Sequence, residues 1–320
     1  MQAYRLTIAT IGLLTLLIIS AFAIPEWISP FQIDGIKVDL LWNYRIPKTF
    51  TALIAGASLS VSGFILQQLY KNNLAGPYIL GVSSGASLAV AILIIGSHYF
   101  PFLNHGIGIS LAGFIGATSI LLLVMLVSSR FGSGAIILLF GVIIGQITGA
   151  LQGLLNYMAV PGDLKNFTLW SMGSFSQVIE FDLLFFGLAT LSGIAWAWFI
   201  MPQLSTMLLG DEVAYSLGVN TKNVSLQLLI CTGILSGIAT AYCGPIAFIG
   251  MAIPNVSRLL IKTVNFRYML FVNAALGASM ALISDIISSI ELFGFNIPVN
   301  VVTALIGGPF IIYILLKRKQ

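Results

Sequence analysis

The chain has 320 residues, of which 58% are hydrophobic and only 8% are charged. Soluble domains contain roughly 45–50% apolar and about 25% charged residues, so this composition excludes a soluble globular domain. We therefore predict an all-α polytopic membrane protein, whose net charge of +4 lies mainly at the ends of apolar segments. No nucleic acid partner is expected, because the basic residues form no continuous patch.

Ten transmembrane helices are predicted from the charge-free apolar runs. A helix needs about 20 apolar residues to cross the hydrocarbon, and longer runs, such as the one between Lys71 and Arg130, are divided at breaks like Pro101. The predicted spans lie near residues 4–24, 47–70, 77–96, 106–129, 133–157, 179–201, 224–243, 246–262, 267–291 and 298–316. A single transmembrane domain then covers residues 1–320.

The first predicted span has an alternative interpretation as a secretory signal peptide. Arg5 precedes its apolar run, and Ala21-Phe22-Ala23 has the small-residue pattern of a cleavage site. The apolar core is longer than the roughly 7–15 residues usual for signal peptides. We therefore expect the segment to be retained as a first span.

The distribution of Lys and Arg favours one orientation in the membrane. Basic residues accumulate on the cytoplasmic side of membrane proteins. If both termini are cytoplasmic, ten of the 14 basic residues lie inside, namely Arg5, Lys71, Arg130, Lys222, Arg258, Lys262, Arg267, Lys317, Arg318 and Lys319. The other four are Lys37, Arg45, Lys48 and Lys165. Both termini, and the segment at residues 208–223, are therefore predicted to be cytoplasmic.

The segment Leu208–Asn223 has the character of a soluble protein although it lies between two apolar runs. Gly210, Asp211 and Glu212 predict a helix start, because acidic groups are favourable near the positive end of a helix dipole. Gly218 predicts its end, where a left-handed residue is common. We expect a short helix of about two turns.

This short helix carries one apolar face, formed by Leu209, Val213 and Leu217 at intervals of four residues. Nothing within its own loop is available to cover that face. Two interpretations remain open. The helix lies flat on the lipid surface, or its apolar face inserts into a groove of another protein.

Four glycines form a stripe along the fifth predicted span, at Gly141, Gly145, Gly149 and Gly153. Such a smooth face either packs closely against another helix or forms a wall beside a pore. Polar residues on the same span favour a wall that water reaches. A connector that contains Trp170 is predicted to follow this span on the outer side.

Several kinds of chemistry are absent from the sequence. There is no phosphate-binding G-x-x-x-x-G-K-[ST] loop, and no cluster of Cys, His and acidic residues has metal-ligand spacing, so neither an ATPase nor a metal or cofactor site is predicted. Gly81-Val82-Ser83-Ser84-Gly85 matches the hydrolase pattern G-x-S-x-G, but it lies within an apolar helix rather than after a strand. No enzyme activity is predicted.

Charged residues are also missing from the middle of the predicted spans. Ion-coupled transporters usually carry acids or histidines there, so the sequence disfavours a secondary transporter. Asp285 is the nearest candidate, and we expect it to face water at the outer end of the ninth span. A transporter with neither an ATPase nor a coupling site needs energy from another chain.

The sequence resembles the permease subunits of ABC importers for iron–siderophore complexes, haem and vitamin B12. The resemblance extends from Arg45 to the C-terminus and is carried by motifs in the same order. These are Arg45-Ile46-Pro47-Lys48, Ser62-Gly63 with Gln67, Asn72-Asn73-Leu74-Ala75-Gly76-Pro77, Leu80–Ala86, Trp170–Ser174, Leu209-Gly210 through Ala214 to Leu217-Gly218, Gly244–Gly250, Pro254 with Arg258, and Pro298 through Thr303-Ala304-Leu305 to Pro309-Phe310.

This resemblance implies a multi-pass permease of a bacterial inner membrane, paired with a second permease subunit as a homodimer or close heterodimer. It also implies two cytoplasmic ATPase subunits and an extracytoplasmic substrate-binding protein. The predicted contacts with the ATPase are Leu209, Gly210, Asp211, Glu212, Val213, Ala214, Leu217 and Gly218.

Three further sets of residues receive roles from the resemblance. Arg45 and Lys48 are expected to dock the binding protein. The inner gate is expected at Asn72, Asn73 and Leu74, and the pore wall at Gly141, Gly145, Gly149 and Gly153.

The chain departs from the family pattern at three positions. Asn73 replaces a common Pro, Asn255 replaces a common His after Pro254, and Ser289 stands where an Arg often follows the Asp285 region. The last change removes a possible contact with the binding protein. The alternative function is a self-contained secondary transporter or channel that works without ATP.

Overall fold

The structure is a computed structural model that describes residues 12, 41–97, 108–131, 134–178, 180–261, 263, 265–292 and 295–317. Within these ranges the fold is all-α, as predicted. The helices are α1 (Ile46–Leu69), α2 (Val82–Gly96), α3 (Ile109–Phe131), α4 (Gly134–Met158), α5 (Pro161–Ser171), α6 (Glu180–Met207), α7 (Asp211–Ser216), α8 (Thr221–Cys243), α9 (Ile249–Leu260), α10 (Phe266–Ser289) and α11 (Val299–Lys317). A π-helical turn at Leu41–Arg45 leads into α1, and a minimal antiparallel pair, β1 (Glu291–Leu292) and β2 (Phe295–Asn296), connects α10 to α11.

The predicted spans from the second to the tenth each correspond to a helix, and the first span, apart from residue 12, lies outside the described residues. By length and composition, 6 segments of the described chain are sufficient to cross a membrane. They lie at Leu41–Leu69, Ile109–Ser128, Ile136–Met158, Phe181–Met207, Thr221–Cys243 and Phe266–Ser289. The helices α2, α9 and α11 are shorter, and α9, which contains Pro254, has only 12 residues.

Helix α1 lies at the centre of the bundle. It packs against α6, α8, α9 and α10. In the most apolar stretch of Leu41–Leu69, 83% is buried. Glycines permit the closest approaches, because a Cβ at Gly56 would collide with the backbone of Gly277 on α10, and a Cβ at Gly63 with that of Gly250 on α9. Small residues at such crossings let helix backbones come into contact. Substitution at either glycine would push these helices apart.

Two helices occupy segments in which no membrane span was predicted. Helix α7 lies in the predicted soluble-like segment. Helix α5 lies in the predicted outer connector, and it begins with Pro161, which suits the first turn because Pro has no N–H to leave unpaired. It buries Phe167 and Trp170, whose rings stack with centroids 6.4 Å apart. Trp170 therefore belongs to the core.

Helices α4 and α6 are covered least by the rest of the chain. In the most apolar stretch of each helix, only 22% of α4 and 28% of α6 is buried. Their exposed side chains are mostly large and apolar, for example Leu154 on α4 and Leu188 on α6. In a membrane protein, such faces are covered either by lipid or by another subunit.

Candidate functional site

Helix α7 begins and ends at glycines, as the sequence predicts. Gly210 precedes it with φ at 113°, and Gly218 follows it with φ at 82°. The N–H of Gly218 donates to the Tyr215 carbonyl at 2.9 Å, and the N–H of Val219 donates to the Ala214 carbonyl at 2.9 Å. These two bonds form a Schellman motif, which satisfies the last carbonyls of a helix. Because Ala214 is also fully buried in the core, α7 is held firmly against the bundle.

The predicted apolar face of α7 points away from the rest of the chain. The side chains of Leu209, Val213 and Leu217 are 67%, 44% and 63% exposed, respectively. The acidic residues of the first turn, Asp211 and Glu212, are exposed as well. A rigid helix thus presents an uncovered apolar ridge with acidic residues at its N-terminal end.

The predicted gate residues lie in a folded loop between α1 and α2. The side-chain oxygen of Asn72 accepts from the Leu74 N–H at 2.9 Å, and its carbonyl accepts from the Ala75 N–H at 3.0 Å. Lys71, just before the loop, adopts a left-handed φ of 47°. The structure brings Asn72, Asn73 and Leu74 together as one tight turn.

A cluster of polar side chains connects this turn to α1 and α9. Asn255 Nδ2 donates to the Asn73 carbonyl at 2.9 Å and to the Met251 carbonyl at 2.8 Å. Arg258 Nη2 donates to Asn255 Oδ1 at 3.0 Å and also to the side-chain oxygen of Gln67. Gln67 Nε2 completes the cluster by donating to the Met251 carbonyl at 3.0 Å. The turn is therefore held by Asn255 of α9, which Arg258 links to Gln67 of α1.

No role was predicted from the sequence for the three side chains of this cluster. Gln67 and Arg258 belong to motifs that carry the family resemblance, and Asn255 is a departure from the family pattern. A usable signal was present, since a buried amide or guanidinium in an apolar helix requires a hydrogen-bonding partner. Three such residues on two spans pointed to a shared network.

The glycine stripe on α4 has two different environments. A Cβ at Gly141 would lie 2.6 Å from the Ile79 carbonyl oxygen, whereas one at Gly145 would meet only the Ser84 hydroxyl, at 3.5 Å. A Cβ at Gly149 or Gly153 would have no atom within 4 Å. One end of the stripe is thus a packing contact with the segment before α2, and the other end borders open space.

The predicted docking residues lie at the start of α1. Lys48 Nζ is 2.9 Å from Asp285 Oδ1 on α10 and donates to Ser289 Oγ at 2.7 Å. Ser289 Oγ in turn donates to the Asp285 carbonyl at 2.8 Å. Arg45 is the last residue of the π-helical turn, next to α1. Lys48 is therefore engaged within the chain, while its role in docking stays a prediction.

The expectation that Asp285 faces water is wrong. Asp285 is buried and forms an ion pair with Lys48. Removing a carboxylate from water is costly unless a cation and hydrogen bonds compensate for the loss. Lys48 supplies that cation, and Ser289 accepts a hydrogen bond from the same ammonium group.

Catalytic chemistry finds no support in the described residues. Ser83 of the G-x-S-x-G pattern is buried in the first turn of α2, and its Oγ is 3.4 Å from Thr240 Oγ1. No group of three or more His, Cys, Asp or Glu side chains is arranged to hold a metal ion in the part of the chain that the structure describes.

Comparison with known proteins gives consistent matches over almost the whole chain. A sequence model of the FecCD transport family matches residues 8–317. The hemin transport system permease protein HmuU of Yersinia pestis is 35% identical over 292 residues, which cover 88% of this chain and 86% of that protein. The vitamin B12 import system permease protein BtuC of Klebsiella pneumoniae is 33% identical over 312 residues, which cover 97% and 92%.

A solved structure has the same architecture. It is an inward-facing conformation of a metal-chelate type ABC transporter, with a TM-score of 0.87 and 29% sequence identity. The alignment covers 98% of this chain and 99% of the other. The arrangement of helices described above is therefore shared with that structure.

Proposed function

We propose, because the chain belongs to the FecCD transport family, that it is the transmembrane permease subunit of an ATP-driven importer for a metal chelate. The cargo class is an iron–siderophore complex or a haem- or cobalamin-like chelate, since the relatives include a hemin and a vitamin B12 permease. Separate ATPase subunits power transport, and an extracytoplasmic binding protein delivers the cargo. The chain itself performs no catalysis.

The observation that carries this proposal is the uncovered apolar ridge of α7. Contact with water or lipid headgroups would leave the apolar side chains of Leu209, Val213 and Leu217 unburied. A hydrophobic groove on a partner would bury them. The helix is short, capped at both ends and anchored through Ala214. A rigid protrusion transmits movement between subunits better than a flexible loop, so the ATPase is the partner that fits.

The other proposed parts lie elsewhere on the chain. A second copy of the chain would cover apolar surface on α4 or α6, and the open end of the glycine stripe, Gly149 and Gly153, would border the pathway. The Asn72–Leu74 turn is proposed as the inner gate. Arg45 and Lys48 are proposed to dock the binding protein, and Lys48 also contacts Asp285 within the chain.

The substitution Leu217→Asp tests the ridge. Docking would bury a carboxylate without a partner, which costs about 3–5 kcal/mol, so we expect affinity for the ATPase to fall on the order of a hundredfold or more. The measurement is the amount of ATPase retained on the purified permease, together with cargo uptake by intact cells.

Tyr215→Asp is the matched control. Tyr215 is 78% exposed and lies about 200° around α7 from Val213, so the same charge there should leave the ridge intact. ATPase retention and uptake at wild-type levels in Leu217→Asp would refute the coupling role. They would support the interpretation of α7 as a helix on the lipid surface.

A self-contained secondary transporter is the second candidate. The buried Lys48–Asp285 pair favours it, because ionisable pairs inside membrane helices can bind coupling ions. The pair is internally compensated, however, and it lies one turn from the end of α10. Uptake by the chain reconstituted without any ATPase would support this candidate over the importer.

A further inference from the structure

A cavity of about 760 Å³ lies at the end of the bundle that carries α7. Its walls come from the last residues of α1, α3 and α6, the first turns of α8, and Ile137 near the start of α4. Of the residues given a role above, only Asp211 lines it. It is distinct from the ridge, because Leu209, Val213 and Leu217 do not line it.

The polar part of the cavity carries a net positive charge. Lys71 and Lys222 line it together with a single acidic residue, Asp211. Within the described part of the chain, neither lysine is paired with a carboxylate. The first turn of α8 contributes the positive end of a helix dipole, and Asn220 caps it by accepting from the Asn223 N–H at 3.1 Å. The charge of this wall is therefore complementary to an anionic group on a ligand.

The remaining wall is apolar. Met125, Leu208 and Leu226 belong to it, and the side chains of Leu208 and Leu226 are 37% and 45% exposed. A small inorganic anion would leave such a surface unused. A ligand with an anionic head and an apolar body would use both walls.

The position of the cavity indicates which amphipathic ligand is available. Its lining residues lie where α1, α3 and α6 end and α8 begins, so they mark one boundary of the membrane-spanning bundle. At this depth, phospholipid headgroups meet acyl chains. Basic residues near this surface attract anionic lipids.

We propose that this cavity binds one anionic phospholipid, with the phosphate between Lys71 and Lys222 and an acyl chain beginning along Met125, Leu208 and Leu226. Leu208 and Asp211, at the N-terminal end of α7, also line the cavity. The bound lipid therefore contacts this end of α7 and supports its position. A zwitterionic lipid fits less well, because its choline cation would face the two lysines.

The test measures lipid retained by the purified chain, using native mass spectrometry after exchange into mixtures of phosphatidylglycerol and phosphatidylcholine. The wild type should retain one phosphatidylglycerol in preference to phosphatidylcholine. The double variant Lys71→Gln with Lys222→Gln should lose this preference, by about fivefold for each lysine removed. Lys317→Gln, a basic residue at the same end of the bundle but outside the cavity, should retain it.

A second variant fills the cavity without changing its charge. Ser225 lines the cavity, and Ser225→Trp should exclude the lipid while the variant still carries both lysines. Retained lipid in this variant, or unchanged preference in the double lysine variant, would overturn the proposal.

Two further arms distinguish other occupants. Displacement of phosphatidylglycerol by millimolar inorganic phosphate would show a free-phosphate site, and would also overturn the lipid assignment. Equal retention of both lipids, combined with loss of the ATPase in the double lysine variant, would instead assign the cavity to the ATPase. Neither result bears on the cargo or on the ridge of α7, so the proposed function is tested separately.

Discussion

The substitution Lys48→Met removes one partner of the buried ion pair and is expected to destabilise the fold. The two charged atoms are 2.9 Å apart, and the side chains of Lys48 and Asp285 are 26% and 4% exposed, respectively. At an effective dielectric constant of about 20, unit charges at this separation attract by about 6 kcal/mol. Desolvation of each ion offsets several kcal/mol, so the intact pair contributes little net stability. Removing Lys48 alone takes one cation away from a buried carboxylate, and breaking a buried pair in this way costs about 3–5 kcal/mol.

The measurement is the free energy of unfolding in detergent for a double-mutant cycle of Lys48→Met and Asp285→Leu. Each single variant should be destabilised, whereas the double variant should recover most of the loss because no charge stays buried. We expect a coupling energy of about 2 kcal/mol or more, since the residues are in direct contact. Lys165→Met is the control, because this lysine is exposed on α5 and should change stability by less than about 0.5 kcal/mol.

One result would refute this reasoning. If Lys48→Met unfolds like the wild type yet captures the binding protein more slowly at low salt, then the lysine acts through its charge on a partner. Rim charges of that kind affect association rate and its salt dependence. The role of Lys48 would then be docking, as the family resemblance implies, and the pair with Asp285 would be incidental.

Two further predictions address orientation and the gate. In a background with Cys231 and Cys243 replaced, a single Ser216→Cys on α7 should react with an impermeant thiol reagent only after the membrane is opened. Labelling in sealed cells would instead place α7 outside and reverse the predicted orientation. Arg258→Ala should release the hydrogen bonds to Gln67 and Asn255 and loosen the gate turn, so that proteoliposomes hydrolyse ATP with less cargo uptake per ATP. An unchanged ratio of uptake to hydrolysis, with Lys317→Ala as control, would remove this gating role.

Features that depend on neighbouring residues could be predicted from the sequence. The start of α7 follows from Gly210 with Asp211 and Glu212, because acidic groups are favourable in a first turn. Its end follows from Gly218, because a left-handed residue commonly ends a helix. Its exposed ridge follows from the four-residue spacing of Leu209, Val213 and Leu217. The spans follow from charge-free length, because backbone groups in hydrocarbon must form their hydrogen bonds within a helix.

Features that depend on contacts between distant helices could not be predicted in this way. Lys48 and Ser289 are separated by 241 residues, and Gln67 and Arg258 by 191. Periodicity shows which face of a helix a side chain occupies, but it does not identify the helix that meets that face. Asp285 was therefore expected in water although it is buried, and Gln67, Asn255 and Arg258 were given no common role.

The sequence by itself determined that this chain is an all-α membrane protein with a capped, apolar-faced helix between two spans. Composition, charge-free length and terminal glycines act locally, so no knowledge of packing was needed. Only the tertiary structure decided that the glycine stripe is divided into a packed and an open half, and that the gate turn is held by α9. Both facts arise where backbones approach closely enough for single atoms to collide or to form hydrogen bonds, and such distances are set by the packing of all the helices together.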